Sequence, residues 1–233
     1  MYTFLQINTA ADTAGLVNDE PVEKTLSIFE LITSGGAGGM IIMTILFVLS
    51  IIAVSIFIER YKAIKKAGQL DDNFFHQLKD HVSAGKLDSA RDLCHGNPSP
   101  VARMMEKGIS RIGRPLKDIA AAVENTGKIE VYRMEKNLAL LATISGAAPM
   151  IGFLGTVIGM ILAFHEMASA GGQIQVDMLA EGIYTAMTTT VAGLSVGILA
   201  YLGYNILVSK VDKVVYKMEV NATDFLDLLN EPV

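Results

Sequence analysis

The sequence contains few of the residue patterns that enzymes and metalloproteins use. Its single cysteine, Cys94, cannot form an internal disulfide and, beside His95, lacks the ligand spacing of a metal site. Residues 126–128 (Thr-Gly-Lys) resemble the end of a phosphate-binding loop, but Ala122 stands where that loop needs its first glycine. No His-Glu-x-x-His motif occurs either. These absences predict a protein that is not an enzyme and that has no metal and no cofactor.

Charge is also scarce, at 18% of the residues, and it is missing altogether from three long runs. Residues 40–58, 138–164 and 182–208 contain no charged side chain over 19, 27 and 27 residues. A helix of about 20 apolar residues crosses a hydrocarbon core of about 30 Å, so each run is long enough to span a bilayer. The two longer runs would tilt or project beyond the lipid. We therefore predict an all-α membrane protein with three transmembrane helices, rather than a soluble protein with three buried core helices.

The basic residues show which side of the membrane each loop occupies. Of the 19 Lys and Arg residues, 15 lie between Arg60 and Lys136, three follow the third run, and only Lys24 precedes the first. Loops rich in Lys and Arg stay on the cytoplasmic side of a membrane. This rule places the loop between the first two runs and the C-terminus in the cytoplasm, with the N-terminus and the loop before the third run outside.

The chain then divides into seven predicted segments. They are an extracytoplasmic N-terminal segment with an amphipathic helix (1–37), transmembrane helix 1 (38–58), a cytoplasmic helical loop (59–137), transmembrane helix 2 (138–167), a short periplasmic loop (168–181), transmembrane helix 3 (182–208) and a cytoplasmic C-terminal helix (209–233). The amphipathic helix, at 22–35, either lies on the outer membrane surface or simply leads into the first span.

The cytoplasmic loop has its own predicted helices. Turn signals divide it into helices at about 71–84, 86–95 and 100–112, and a helix from about 116 continues into the second span without a clear break. Two of the three transmembrane helices thus extend into a cytoplasmic helical lobe.

Small residues line one face of each of the last two spans. Lines of small residues let helix backbones approach closely in lipid, and threonines often bond back to their own helix, so this composition alone favours helix packing. Pro149 is expected to bend or loosen the second span and to free a backbone carbonyl. The residues assigned to packing are Gly152, Gly155, Gly159, Ala163, Gly193 and Gly197.

Two stretches resemble a known family of membrane proteins. Residues 146–164, GAAPMIGFLGTVIGMILAF, resemble the second-span signature of the MotA/TolQ/ExbB proton-channel family. Residues 182–205 resemble its third span, including the core at 190–194 and the closing Tyr-Asn pair, and Ile-Glu-Arg at 58–60 fits as well. Three spans with the large loop between the first two is the ExbB and TolQ layout, whereas MotA-like members have four.

This resemblance implies a function and a set of partners. Five copies would surround a central pore lined by spans two and three, with span one facing lipid. Single spans of an ExbD-like partner would sit within the pore, and a TonB-like protein would receive the work of this inner-membrane motor. Thr156 and Thr190 match the family's pore-facing threonines, and Thr185 stands where many ExbB proteins carry a glutamate. A TolQ-like role in envelope integrity, or a passive oligomeric scaffold, are the alternatives, and no nucleic-acid partner is expected.

None of the three charge-free runs contains Asp, Glu or His, the side chains that usually relay protons through membranes. A partner must then supply the carboxylate, or water and threonine hydroxyls carry the ion, and sodium remains an alternative to protons. The predicted pathway comprises Thr156, Thr190, Thr185 and Thr189. His165 and Glu166, at the outer end of the second span, mark either the ion entrance or an ordinary membrane interface.

Overall fold

A computed structural model describes residues 36–69, 73–169 and 176–230. The amphipathic helix predicted at 22–35 lies outside these ranges, and so do residues 170–175 of the periplasmic loop predicted at 168–181. The described residues form helices and turns, with no strand. The helices are α1 (Gly36–Ala67), α2 (Phe74–Ser83), α3 (Leu87–His95), α4 (Pro100–Ile109), α5 (Leu116–Glu135), α6 (Leu138–Ser169) and α7 (Val176–Asn230).

Three helical stretches are long and apolar enough to cross a membrane: Gly38–Ala67, Leu116–Ser169 and Gly182–Asn230. They contain the three charge-free runs, so the predicted all-α class with three long apolar helices is confirmed. With 55 residues, α7 is about 80 Å long, and it extends well beyond a hydrocarbon core of about 30 Å. The predicted third span and C-terminal helix are therefore parts of one continuous helix.

The parts that project beyond the charge-free runs pack into a helical lobe, formed by residues 74–135 and 209–230. Its core contains Leu78, Met105, Val123 and Phe225, each at most 1% exposed. Because Gly108 of α4 has no side chain, the ring of Phe225 packs closely against it. A Cβ atom at this position would lie 2.5 Å from Phe225 Cε1. The end of α7 thus packs directly against α4.

One boundary differs from the sequence-based expectation of an unbroken helix from 116 into the second span. The chain leaves helical geometry at Lys136 (ψ 132°) and Asn137 (φ 66°), and α6 then begins, with Leu141 N–H donating to Asn137 O over 3.2 Å. Asparagine tolerates the left-handed region better than other non-glycine residues. The sequence shows no Gly or Pro at this point, so the usual breaker signals do not reveal the break.

Candidate transmembrane site between α6 and α7

The second and third spans meet along a line of glycines that brings their backbones into contact. A Cβ atom on Gly152 of α6 would lie 2.8 Å from Thr189 O and 3.1 Å from Gly193 Cα of α7. In the reverse direction, a Cβ atom on Gly193 would lie 2.6 Å from Ala148 O. We call this contact the α6–α7 seam; its residues are Ala148, Pro149, Gly152, Gly155, Gly159 and Ala163 on α6, and Gly182, Ala186, Thr189, Thr190, Gly193 and Gly197 on α7.

The seam continues toward the C-terminal end of α6 and the N-terminal part of α7. A Cβ atom on Gly155 would lie 2.7 Å from Thr189 Cβ, and one on Gly159 would lie 3.2 Å from Ala186 Cβ. A Cβ atom on Gly182 would collide with the methyl group of Ala163. The structure thus brings all six residues assigned to helix packing onto one contact.

Threonine hydroxyls of α7 reach a single backbone carbonyl of α6. Thr190 Oγ1 donates to Gly152 O over 3.2 Å. Thr189 Oγ1 donates to Ala186 O within its own helix over 2.8 Å, and it lies 3.4 Å from Gly152 O as a second acceptor. Interhelical hydrogen bonds of this kind contribute roughly 0.6–2 kcal/mol each in membranes. The seam therefore has a polar point at Gly152 in surroundings that are otherwise apolar.

The four predicted pathway threonines have two different environments. Thr189, 1% exposed, and Thr185, 8% exposed, are buried among the helices of this chain. Thr185 faces the start of α1, since a Cβ atom on Gly39 would lie 3.2 Å from its Cγ2. Thr156 and Thr190 are only half-buried, and Thr156 Oγ1 donates to Phe153 O over 2.6 Å. Only these two keep part of their surface available to another chain.

Pro149 lies in the seam rather than on an open face. The helix α6 runs from Leu138 to Ser169 with Pro149 inside it, and a Cβ atom on Gly197 would lie 2.5 Å from the ring Cγ. Proline has no N–H to donate to the carbonyl four residues earlier, which is Ser145 O. That oxygen also faces the α7 contact, 3.1 Å from the Cβ position of Gly197.

Two seam residues, Gly193 and Gly197, also belong to a sequence motif found in hydrolases. Residues 193–197, Gly-Leu-Ser-Val-Gly, match the Gly-x-Ser-x-Gly pattern, which needs a sharp turn from a strand into a helix to present its serine. Here the five residues lie in the middle of α7, and Ser195 Oγ donates to Val191 O over 2.8 Å. Gly193 and Gly197 face the seam while Ser195 is exposed on another side of α7, so the pattern does not form a nucleophile elbow.

Residues 97–220, more than half of the chain, match the MotA/TolQ/ExbB proton channel family. The chain belongs to this family. The matched range contains α5, α6 and most of α7, and therefore the whole seam, while the first span precedes it. The described geometry is thus that of a channel-family subunit of the ExbB/TolQ type.

Individual relatives carry ExbB and TolQ names. The chain is 30% identical to an ExbB homologue of Methanothermobacter thermautotrophicus over 58% of this chain and 47% of that protein, so it spans about half the length of that relative. It is 30% identical to an ExbB-like protein of Synechocystis over 73% of this chain and 68% of the other. It is 27% identical to TolQ of Haemophilus influenzae over 81% of this chain and 87% of the other.

Reasoning from the sequence missed one polar cluster of this chain, in the helical lobe. Glu130 of α5 is 3% exposed, and its two oxygens accept from Arg103 Nη2 over 2.5 Å and from Arg133 Nη1 over 2.7 Å. A buried carboxylate needs such partners, because desolvating an unpaired charge is costly. The spacing of Glu130 and Arg133 was a weak signal for one pair, but Arg103 lies 27 residues away and cannot be inferred from spacing.

Proposed function

We propose that this chain is the channel-forming subunit of an ExbB–ExbD-type motor in a bacterial inner membrane. This motor uses the proton-motive force to energise TonB-dependent transport at the outer membrane. Membership of the MotA/TolQ/ExbB proton channel family and three apolar helices support the channel role. The distribution of Lys and Arg supports a cytoplasmic lobe and C-terminus with a periplasmic N-terminus.

One observation supports the proposed mechanism: the α6–α7 seam contains threonine hydroxyls but no carboxylic acid. None of the three charge-free runs contains Asp, Glu or His, so this subunit has no carboxylate or imidazole of its own within them. A carboxylate on a partner's span would complete the path, as in complexes with an ExbD-like subunit. The half-buried hydroxyls of Thr156 and Thr190 donate their own protons to backbone carbonyls, so their oxygens can accept a hydrogen bond from that group when it is protonated, without placing a second charge in the membrane.

The surfaces of α6 and α7 support assembly into a ring around the partner. Phe153, Met187 and Leu199 are each more than 60% exposed in the single chain. Such side chains require lipid or neighbouring subunits around them. We propose a homo-oligomer, a pentamer by likeness to the family, in which spans two and three line the pore and span one faces lipid. The mass of the purified complex in detergent tests this stoichiometry.

The mechanism is tested by replacing each hydroxyl with a methyl group. Thr156→Val and Thr190→Val keep the side-chain volume, so the complex should assemble while proton flux into vesicles containing the partner falls strongly. Thr44→Val is the matched control, because Thr44 also bonds back to its own helix, over 2.8 Å to Met40 O, but lies exposed on α1. This control should retain its flux.

Three outcomes separate the alternatives. Full flux in both Thr156→Val and Thr190→Val would show that neither hydroxyl belongs to the path. Absence of flux in the unaltered complex would instead favour a passive scaffold whose small residues serve packing alone. A flux that follows a sodium gradient and ignores a proton gradient would replace protons with sodium as the coupling ion.

A TolQ-like role in envelope integrity is the second candidate. It is supported by the similarity to TolQ of Pseudomonas aeruginosa, which at 24% identity covers 89% of this chain and 94% of that protein. Expression in strains lacking either ExbB or TolQ distinguishes the two: restored iron-complex uptake supports the first role, and restored detergent resistance supports the second.

A further inference from the structure

The break between α5 and α6 leaves a helix end that needs a hydrogen-bond donor. In an unbroken helix, the carbonyl of Arg133 would accept the N–H of residue 137. Asn137, at φ 66°, turns the chain out of helical geometry instead. The last four carbonyls of a helix lose their intrahelical partners, and Arg133 lies in that last turn of α5.

The first span provides a donor for this helix end. Arg60 Nη1 of α1 donates to Arg133 O over 3.2 Å, across a sequence separation of 73 residues. Arg60 is 8% exposed, and its other terminal nitrogen contacts the carboxylate of Glu59. A cation at a helix C-terminus is favoured both by the orphan carbonyls and by the helix dipole. Arg60 thus caps α5 from a different helix, two residues after the first charge-free run ends.

The capped end is also held from the side of the helical lobe. Arg133 donates to the buried Glu130, which accepts a second bond from Arg103 of α4. Arg103 Nη1 in turn donates to Pro98 O over 2.7 Å. A continuous polar chain therefore links α1, the end of α5 and the start of α4, and the break at 136–137 begins directly beyond it.

We propose that Arg60 is a positioning residue: by capping α5 at the break, it fixes the direction in which α6 leaves the helical lobe. Through α6 it also sets where Thr156 and the seam lie relative to the lobe. The structural part of this inference is independent of the channel role, whereas its effect on ion flux rests on the proposed function.

The structural part is tested by measuring a distance across the break. Asn125 of α5 and Thr143 of α6 are both exposed, so each can be replaced by cysteine and spin-labelled in a Cys94→Ala background. Labelled full-length chains are diluted with unlabelled ones, so that the distance within one chain dominates the pulsed electron paramagnetic resonance signal. The starting protein should show one narrow distance distribution.

Arg60→Leu should broaden that distribution, while Arg60→Lys, which keeps a charged donor, should restore most of its sharpness. Losing a hydrogen bond to a charged group lowers the ratio of docked to undocked α5 ends by about ten- to a hundredfold. Lys62→Leu is the matched control, since Lys62 is exposed on the same turn of α1 and its loss removes the same charge. An unchanged narrow distribution in Arg60→Leu would overturn the proposal.

A second variant tests the cause. Asn137→Ala removes the residue that tolerates φ 66° and favours an unbroken helix, in which Arg133 O regains a backbone N–H. The double variant Arg60→Leu/Asn137→Ala should therefore recover a narrow distribution, centred at the distance that a continuous helix gives between the two labels. A double variant as broad as Arg60→Leu alone would show that the helix end is not what Arg60 stabilises.

Ion flux separates this inference from the proposed function. In vesicles containing the partner, Arg60→Leu should lose flux, Arg60→Lys should recover part of it and Lys62→Leu should retain it. Broadened distances with unchanged flux would refute the link from Arg60 to channel activity. Absence of flux in the unaltered protein would instead refute the proposed function, while the distance measurements would still decide the role of Arg60.

Discussion

The closeness of the α6–α7 seam makes Gly152→Ala the most informative single substitution. The added methyl carbon would lie 2.8 Å from Thr189 O and 3.1 Å from Gly193 Cα, both of them backbone atoms that cannot rotate away. Ordinary contacts of a Cβ atom begin at 3.4 Å, so α6 and α7 would have to separate by about half an ångström. The perturbation therefore acts on two whole helices.

The expected cost follows from two opposing effects. Overpacking a well-packed contact costs about 1–3 kcal/mol, while replacing glycine by alanine in a helix returns up to about 1 kcal/mol. We expect Gly152→Ala to lower the free energy of unfolding by about 1–2 kcal/mol, a five- to thirtyfold smaller ratio of folded to unfolded protein. The hydrogen bond from Thr190 to Gly152 O would weaken at the same time, because it joins the two helices.

The same helix provides a control for this prediction. Gly146 also lies in α6, but it is exposed, and a Cβ atom there would meet nothing within 4 Å. Gly146→Ala should be neutral or stabilising by up to about 1 kcal/mol, from helix propensity alone. Unfolding of both variants by increasing SDS in mixed micelles, followed by far-ultraviolet circular dichroism, measures the difference. Equal stability of Gly152→Ala and Gly146→Ala would refute the close backbone contact at the seam.

Three further predictions concern the helical lobe. Gly108→Ala should destabilise the lobe by about 1–3 kcal/mol in denaturant unfolding, since the methyl group would collide with the Phe225 ring, and adding Phe225→Leu should recover part of the loss. Ser99→Ala should cost about 1 kcal/mol in the same experiment, because Ser99 Oγ caps α4 by accepting from Ala102 N–H over 3.2 Å, whereas the exposed Ser110→Ala should cost less. Burial, and to a lesser extent a nearby carboxylate, raises the pKa of the Cys94 thiol to about 12, so alkylation at mildly alkaline pH should be slow until the protein unfolds. Rapid labelling of the folded protein would contradict this burial.

The helical lobe also shows which features of the helices outside the charge-free runs can be predicted from the sequence. The turn at 96–100 was visible, because Pro and Asn restrict the local backbone whatever surrounds them, whereas the cap at Ser99 was not predicted. The break at 136–137 was not predicted either, since Asn137 adopts φ 66° without a neighbouring Gly or Pro to announce it. The capping partner, Arg60, lies 73 residues from Arg133 in the sequence, so a local sequence pattern cannot predict their hydrogen bond.

The pathway threonines show the same limit inside the membrane. The resemblance to the family and the lack of an acid in the spans led to their assignment, but neither says which face is covered by the chain's own helices. The folded chain buries Thr185 against the start of α1 and Thr189 against Gly155, and it leaves Thr156 and Thr190 half-buried. The roles of all four in ion transfer stay predictions, and the valine variants test those of Thr156 and Thr190.

Sequence alone determined that three helices can cross a bilayer and that their charge-free runs contain no acid. The physical reason is that placing a charged side chain in hydrocarbon is costly. A membrane span therefore appears in the sequence as a run of about 20 residues without charge. Only the tertiary structure decided which small residues touch, which hydroxyls reach Gly152 O, and which arginine caps α5. Those contacts join residues tens of positions apart, and close packing between whole helices, not any local preference, brings them together.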